Sequence, residues 1–292
     1  QTSCPLCNSG RAGSSWYGSA LYLEQSFVYL ECLDCRSLYC SPMPGHQTLE
    51  RMYDNEYVLA PETHEGPAAP SDPGYVLQRL QATDKGVFID YGCGRGDLIK
   101  AAQQLGWEVT GIEFKQSVAD RVASMTRLPV VTPESFFSKP SRMPADVVHL
   151  GDVIEHLTNV DAQLPKILSL LRPGGRLIAQ GPLEANASLF NALVRMSKSF
   201  KRPAPSNMPP YHVMLATRTG QKELFRRFGL RQEQFLLAEV SWPAPSTATS
   251  AITMGPRASA MFVARRLSQI CSRLRPETLG NRYIYTGVWP GK

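Results

Sequence analysis

Two cysteine pairs, "CPLC" (Cys4, Cys7) and "CLDC" (Cys32, Cys35), stand near the start of the chain. A CxxC turn sets two thiolates on one side of a tight knuckle, and two knuckles complete a tetrahedral four-sulfur shell for Zn²⁺. A redox dithiol needs only one such pair, and stable disulfides are disfavoured in a cytosolic chain. A closed shell leaves no open position for substrate or water, so the expected Zn²⁺ is structural and stabilises a segment too short to fold on a core of its own. Of the seven cysteines, Cys40 and Cys271 read as free or buried thiols, and Cys93 as a small residue suited to its loop.

A second stretch, "FIDYGCGRGDLI" (Phe88 to Ile99), places Gly92, Gly94 and Gly96 between an apolar run and a helical pattern. The dinucleotide fingerprint is G-x-G-x-x-G, and here Asp97 takes the place of its third glycine. A carboxylate at that helix start faces a pyrophosphate and repels it. No P-loop lysine follows either. The loop therefore approaches a ligand through its backbone, but not a diphosphate. S-adenosylmethionine fits, being a nucleoside without phosphate that carries a sulfonium and an ammonium group. Glu113, at the end of the next strand ("TGIE"), is placed to accept both ribose hydroxyls.

Methyl transfer is an in-line displacement, in which holding nucleophile and methyl in line supplies much of the rate. An oxygen nucleophile also benefits from a base near neutrality, for which histidine suits. His156, in "GDVIEHL", is expected one turn into the helix after the fourth strand, on the edge where substrates sit. The competing local reading is a D-x-x-E capping arrangement of Asp152 and Glu155, with His156 on the helix flank. His212, in "PPYHVML", follows the long segment Glu184 to His212 and can face a methyl group. His149 lies inside an apolar strand and reads as a satisfied core residue. His46 and His64 are expected in solvated loops, with His46 a surplus zinc ligand at most.

The elements that must position these residues are legible as a pattern. Residues 1–45 read as a zinc ribbon, with a hairpin in "SALYLEQSFVYLEC". Residues 46–85 read as a helical lid and linker: "TLERMYDNEYV" has helical spacing, and "APETHEGPAAPSDPG" is a Pro, Ala and Gly-rich connection. Residues 86–292 alternate apolar strands ("GVFID", "WEVTGIE", "LPVVTP", "ADVVHLG", "RLIAQGP", then "EQFLLAEV" and "RYIYTGVW") with helices. The expected fold is α/β, a Rossmann-like, seven-stranded, mostly parallel sheet with helices on both faces. The segment around 184–212 exceeds a simple crossover. It is either a substrate lid or an ordinary crossover helix with a surface loop.

Composition narrows the class. At 292 residues with 43% hydrophobic and 19% charged residues, the chain can bury a substantial core. No run approaches the ~20 apolar residues that cross a bilayer. "QTSCPLCNSG" lacks the basic-then-apolar pattern of a secretory leader, so cytoplasmic residence is the expectation. The net charge of +6 concentrates in "RMSKSFKR", "KELFRRFGLR" and "RRLSQICSRLR". Such clusters hold nucleic acid, phosphorylated substrates or acidic lipid, or are solvated helix faces.

"VFIDYGCGRGDL", "VTGIE", "ADVVHLGDVIEHL" and "LLRPGGRLIAQGP" resemble the successive motifs of class I SAM-dependent methyltransferases. They are most similar to the branch containing ubiquinone-biosynthesis O-methyltransferases and many small-molecule and sugar methyltransferases. The two-knuckle front end with "MYDNEYV" resembles a subset carrying an N-terminal zinc ribbon. The resemblance implies that Asp90 and the three glycines line the methionine end of the cofactor, Glu113 the ribose, Glu134 and Ser135 the adenine, and Asp152 the floor. It implies a cofactor contact from Tyr57, which shares a helical i, i+4 pair with Tyr53. "PPYH" is similar to the family's Pro-Glu-His segment, with Tyr211 in place of the acid. The expected activity is methyl transfer to a small molecule, sugar or natural-product intermediate, at oxygen. The alternatives are an rRNA methyltransferase whose zinc ribbon recognises substrate, and a SAM-binding module without catalysis. The oligomeric state is not legible.

Overall fold

The computed structural model describes residues 3–52, 73–138, 143–200, 209–240 and 247–291. The expected Tyr57 contact, its neighbour Tyr53 and His64 lie outside the described residues, as does part of the 184–212 segment.

The chain opens with an antiparallel meander of β1 (Ala12–Tyr22), β2 (Gln25–Cys32) and β3 (Leu38–Ser41). β2 follows the two-residue period of a half-buried strand: Phe27 and Tyr29 are 0% and 7% exposed, whereas Val28 between them is 44% exposed. β1 and β2 are joined by a two-residue turn in which Leu23 and Glu24 both have positive φ, 49° and 61°. That is the mirror-image turn whose twist suits a hairpin, made here without the usual Asn-Gly.

The main sheet uses β4 (Val87–Tyr91), β5 (Glu108–Ile112), β6 (Val130–Val131), β7 (Ala145–Gly151) and β8 (Leu171–Pro182), all parallel to one another. After β9 (Met214–Leu215), the sheet is completed by β10 (Arg231–Ala238) and β11 (Arg282–Val288), giving the order β10-β11-β8-β7-β4-β5-β6. β11 is antiparallel to both neighbours. This is the seven-stranded, mostly parallel arrangement expected from the sequence. Its strands read as unbroken apolar runs because both faces are covered: Val87 and Ile89 belong to one buried cluster, Phe88 between them to the other.

Three local expectations change. The strand expected over "RLIAQGP" begins earlier, at Leu171, so that "PGG" lies within β8, where pairing with β7 shifts register between Ala145 and Val147. "VIEH" forms a single 3₁₀ turn, Ile154–His156, rather than the first turn of a helix. The helix Val160–Leu168 begins later, because the Asn159 side chain caps it by accepting from the Ala162 amide at 3.2 Å. The N-terminal meander shares its core with the main sheet. β3 pairs with β9 (Leu38 opposite Leu215, Tyr39 opposite Met214), and Cys4, Cys32, Leu38 and Tyr39 share one buried cluster with Ile89 and Leu177. Among the described residues no helix is long and apolar enough to cross a membrane.

Thr217 fastens the junction. Its hydroxyl donates to the Cys35 carbonyl at 2.6 Å and accepts from the Gly220 amide at 3.0 Å, capping the helix Arg218–Arg227. Gly220 packs so tightly beneath the ribbon that a Cβ there would meet Ser37 Oγ at 2.2 Å. Replacing Thr217 by Val keeps the shape but removes the cap and one buried hydrogen bond. It is expected to cost about 1–3 kcal/mol, measured as a lowered urea midpoint with unchanged slope.

Candidate functional site

The glycine loop follows β4 and turns into the helix Asp97–Gln104. Gly92, Gly94 and Gly96 all have positive φ (81°, 51° and 79°), a backbone that only glycine adopts without strain. At Gly92 a Cβ would meet Val153 Cγ2 at 2.6 Å, whereas at Gly94 nothing lies within 4 Å. The space over Gly94 opens into a cleft of about 430 Å³, lined by Gly92, Glu113, Phe114, Asp152 and His156 among others, within the ~300–1,000 Å³ of small-molecule sites. A larger cleft of about 680 Å³ lies beside the cysteine knuckles. It has neither the glycine loop nor a histidine, so the chemistry selects the smaller one.

Glu113 ends β5 with both oxygens engaged: Oε2 accepts from the Gly94 amide at 2.9 Å and Oε1 from the Phe114 amide at 2.8 Å. Burial pushes its carboxyl above the ordinary range, opposed by those two amides. Asp152 lines the cleft with φ 53° and is held by Arg282 at 2.8 Å. Asp90 lies elsewhere. Only 3% exposed, its carboxylate meets His149 Nδ1 at 2.7 Å beneath the loop. Glu134 and Ser135 are exposed on the helix Pro133–Ser138, and of this segment Pro133 is the residue that reaches the cleft. Leu49, from the helix His46–Met52, closes another side.

His156 and His212, far apart in sequence, come together with ring centroids 4.9 Å apart and planes at 77°. One ring nitrogen of each and a carboxylate oxygen of Glu155 lie within 4.8 Å of one another. His156 Nδ1 meets the Tyr211 carbonyl at 2.7 Å. A carbonyl only accepts, so Nδ1 carries the proton and Nε2 of the neutral ring carries the lone pair. Burial, then the positive neighbour His212, pushes His156 down to about 3. His212 is the opposite case. Burial works against its charge, but the carboxylate of Glu184, 2.9 Å from Nδ1, and those of Glu155 and Asp152 raise it to about 9. Glu155 is buried with Oε1 unpaired, and burial followed by Asp152 raises it to about 8. At neutral pH the pair is thus one neutral imidazole beside one imidazolium.

Sequence reasoning missed Glu184, Glu155 and Arg282. Glu184 and Arg282 carry no motif, and Glu155 was read only as part of a cap. The signal available was topological: β11 is antiparallel to β8, with Arg282 opposite Pro182, which brings Arg282 to the strand ends that carry the loops.

In the N-terminal knuckles, Cys4 and Cys35 Sγ are 3.8 Å apart and Cys7 and Cys32 Sγ 3.5 Å. These separations far exceed an S–S bond of ~2.05 Å. They match the edge of a tetrahedron of sulfurs at ~2.3 Å from Zn²⁺, about 3.8 Å. All four ligand atoms lie within 4.8 Å of one another, and the donor set fits the metal.

The family model described as a methyltransferase domain matches residues 70–234, more than half of the chain. The chain belongs to the methyltransferase domain family. Among curated proteins it resembles the ribosomal protein L11 methyltransferase of Photobacterium profundum, 35% identical over 108 residues, 34% of this chain and 35% of that one. It also resembles the ubiquinone biosynthesis O-methyltransferase of Albidiferax ferrireducens, 31% identical over 120 residues, 38% of this chain and 43% of that one. The chain thus matches less than half the length of either relative. Among solved structures, the [4+2]-cyclase SpnF superposes with a TM-score of 0.52 at 18% identity, covering 85% of this chain and 97% of that one. This last likeness is one of fold.

The His212–Glu184 pair makes a direct prediction. Glu184→Gln removes the principal charge that keeps His212 protonated, so its pKa is expected to fall from about 9 toward or below the ordinary ~6.5. Titration of the imidazole signals by NMR reads the change, and an unmoved His212 refutes the assignment.

Proposed function

We propose that this protein is an S-adenosylmethionine-dependent methyltransferase that alkylates an oxygen of a small molecule, a sugar or a natural-product intermediate. The observation that carries the reading is the cleft over Gly94, which joins the glycine loop and Glu113 to His156 at one wall, with the His212 ring packed against His156. Bound there, S-adenosylmethionine supplies an electrophilic methyl group on a positively charged sulfur.

In this reading the backbone of Gly92 and Gly94 cradles the cofactor, Glu113 accepts its ribose hydroxyls, and Asp152 faces its cationic end. Pro133 and Phe114 flank the adenine, a place the resemblance gives to Glu134 and Ser135. Asp90 acts beneath the loop through His149 rather than by contact. The acceptor hydroxyl would donate a hydrogen bond to His156 Nε2, which orients its oxygen toward the methyl group. The S–CH₃ bond breaks as the C–O bond forms, and the hydroxyl proton leaves to solvent rather than staying on a ring held down to about 3. His212, cationic at neutral pH, stabilises the negative charge that develops on that oxygen. Leu49 would cover the cofactor on one side and exclude water there. The likeness to a ubiquinone biosynthesis O-methyltransferase supports an oxygen acceptor.

Two measurements test this. Calorimetry with S-adenosylmethionine is expected to show binding that Glu113→Ala weakens roughly 10–100-fold, the equivalent of one charge-assisted hydrogen-bond pair at ~1.5–3 kcal/mol. Gly94→Arg is expected to abolish binding, since a side chain would fill the open space at φ 51°. An intact protein that does not bind sinks the reading.

The four cysteines are proposed to hold one structural Zn²⁺, as a ribbon that supports the site. Metal analysis is expected to find one zinc per chain, and its removal by chelator to lower the melting temperature. A well-folded protein without metal refutes this part alone.

A further inference from the structure

Between β10 and β11 the chain inserts a helical hairpin, Ala248–Thr253 and Pro256–Leu274. The longer helix is packed inside out. Its buried face is polar: Arg265 pairs with Glu239 at 2.6 Å, Ser268 donates to the same carboxylate at 2.8 Å, and Ser272 donates to the Leu279 carbonyl at 2.8 Å. Its exposed face carries Val263, Leu267, Ile270 and Leu274 at helical spacing, 55%, 49%, 53% and 74% exposed. Ile252 and Met254, 72% and 70% exposed, extend the apolar surface onto the shorter helix. In a helix of 3.6 residues per turn, Arg266 and Arg273 flank one side of this stripe, Arg257 and Arg275 the other. No Asp or Glu occurs from Thr247 to Arg275, nor from Ala185 to Lys222, the stretch whose helix Leu189–Phe200 packs beside the long one.

We propose that this hairpin is a docking surface for an anionic lipid leaflet. An apolar stripe between rows of arginine, with no acid in the element, is the arrangement that lies in a membrane interface: apolar side chains enter the acyl boundary and guanidinium groups meet lipid phosphates. Against a second copy of the same face, the arginine rows would oppose one another with no acidic partner in the hairpin. A nucleic-acid backbone satisfies the arginines but leaves the apolar centre without a contact. The strand register fixes where the surface stands. Ala238 is opposite Arg282, and Arg282 is opposite Pro182, so the hairpin leaves the sheet at the edge where β8 ends and Glu184 follows. The leaflet would therefore meet the edge that presents the histidine pair.

The test uses the full chain and sedimentation with vesicles. Binding is expected to phosphatidylcholine vesicles containing phosphatidylglycerol, to weaken as salt rises, and to be absent from pure phosphatidylcholine. Leu267→Asp with Ile270→Asp is expected to abolish binding without lowering the melting temperature, both side chains being exposed. Arg266→Gln with Arg273→Gln is expected to weaken binding roughly 30-fold, at about 1 kcal/mol per cation. No binding to the phosphatidylglycerol vesicles overturns the proposal, as does binding that ignores the aspartate pair. A concentration-dependent dimer dissolved by the same aspartates also overturns it, assigning the face to self-association. None of these readouts depends on the cofactor.

Discussion

The site depends on a short pairing between two segments far apart in sequence. β3, three residues beyond the last knuckle cysteine, pairs with β9, two residues beyond His212. The Val213 carbonyl accepts from the Cys40 amide at 2.8 Å, and the Val213 amide donates to the Glu155 carbonyl at 2.9 Å. Tyr29, on the central strand of the ribbon, donates to the His212 carbonyl at 2.7 Å. The histidine segment is thus clamped between the ribbon on one side and the 3₁₀ turn carrying Glu155 and His156 on the other. The cysteine-bearing front end thus braces one side of the cleft through backbone pairing.

The clamp also sets the electrostatics. Glu155, His156 and His212 are held close, so each decides how readily its neighbours ionise. Glu184 and Arg282 stand outside the cluster and bias it, the first toward a cationic His212, the second by holding the Asp152 carboxylate. The signs follow from linkage. His212, raised to about 9, stabilises the fold fully below its unfolded value of ~6.5 and loses that contribution as pH rises through 9. His156, lowered to about 3, acts oppositely: the native state resists its proton, and stability falls as pH drops below ~6.5. The two meet in a window around neutrality, where one ring is neutral while its neighbour is a cation. A pair of identical side chains becomes two different reagents through surroundings alone.

Much of this was legible in the sequence, and the failures have physical reasons. Buried parallel strands announce themselves as apolar runs, and the glycine loop and cysteine knuckles are local geometry that a short window encodes. His156 was legible as a residue but not as a conformation, because the Asn159 cap outcompetes the capping arrangement expected from Asp152 and Glu155. Instead, Asp152 is turned by its positive φ toward Arg282. Glu184 could not be found, since nothing near it in the chain needs a carboxylate; its partner lies across a long segment of unlike composition. The union of ribbon and sheet was hidden for the same reason. Thr217, Ser37 and Gly220 are unremarkable singly, and only tertiary contact makes them a joint.

The exclusion of phosphate also rests on a different residue from the one the sequence suggests. Asp97 takes the third fingerprint position, but its side chain is 82% exposed and lies 3.6 Å from Arg95, where solvent screening leaves it little influence. Glu113 is the effective group. Phosphate-binding loops work by offering unpaired backbone amides to the anion, and here the Gly94 amide is already donated to Glu113 Oε2 at 2.9 Å. A diphosphate would have to displace that carboxylate and then sit beside it, losing a hydrogen bond and meeting a negative charge. A sulfonium nucleoside meets neither obstacle, since it needs hydroxyl acceptors and tolerates an acid. In the proposed reading the glycines shape the loop, and the strand-end glutamate would set the sign of the ligand it holds.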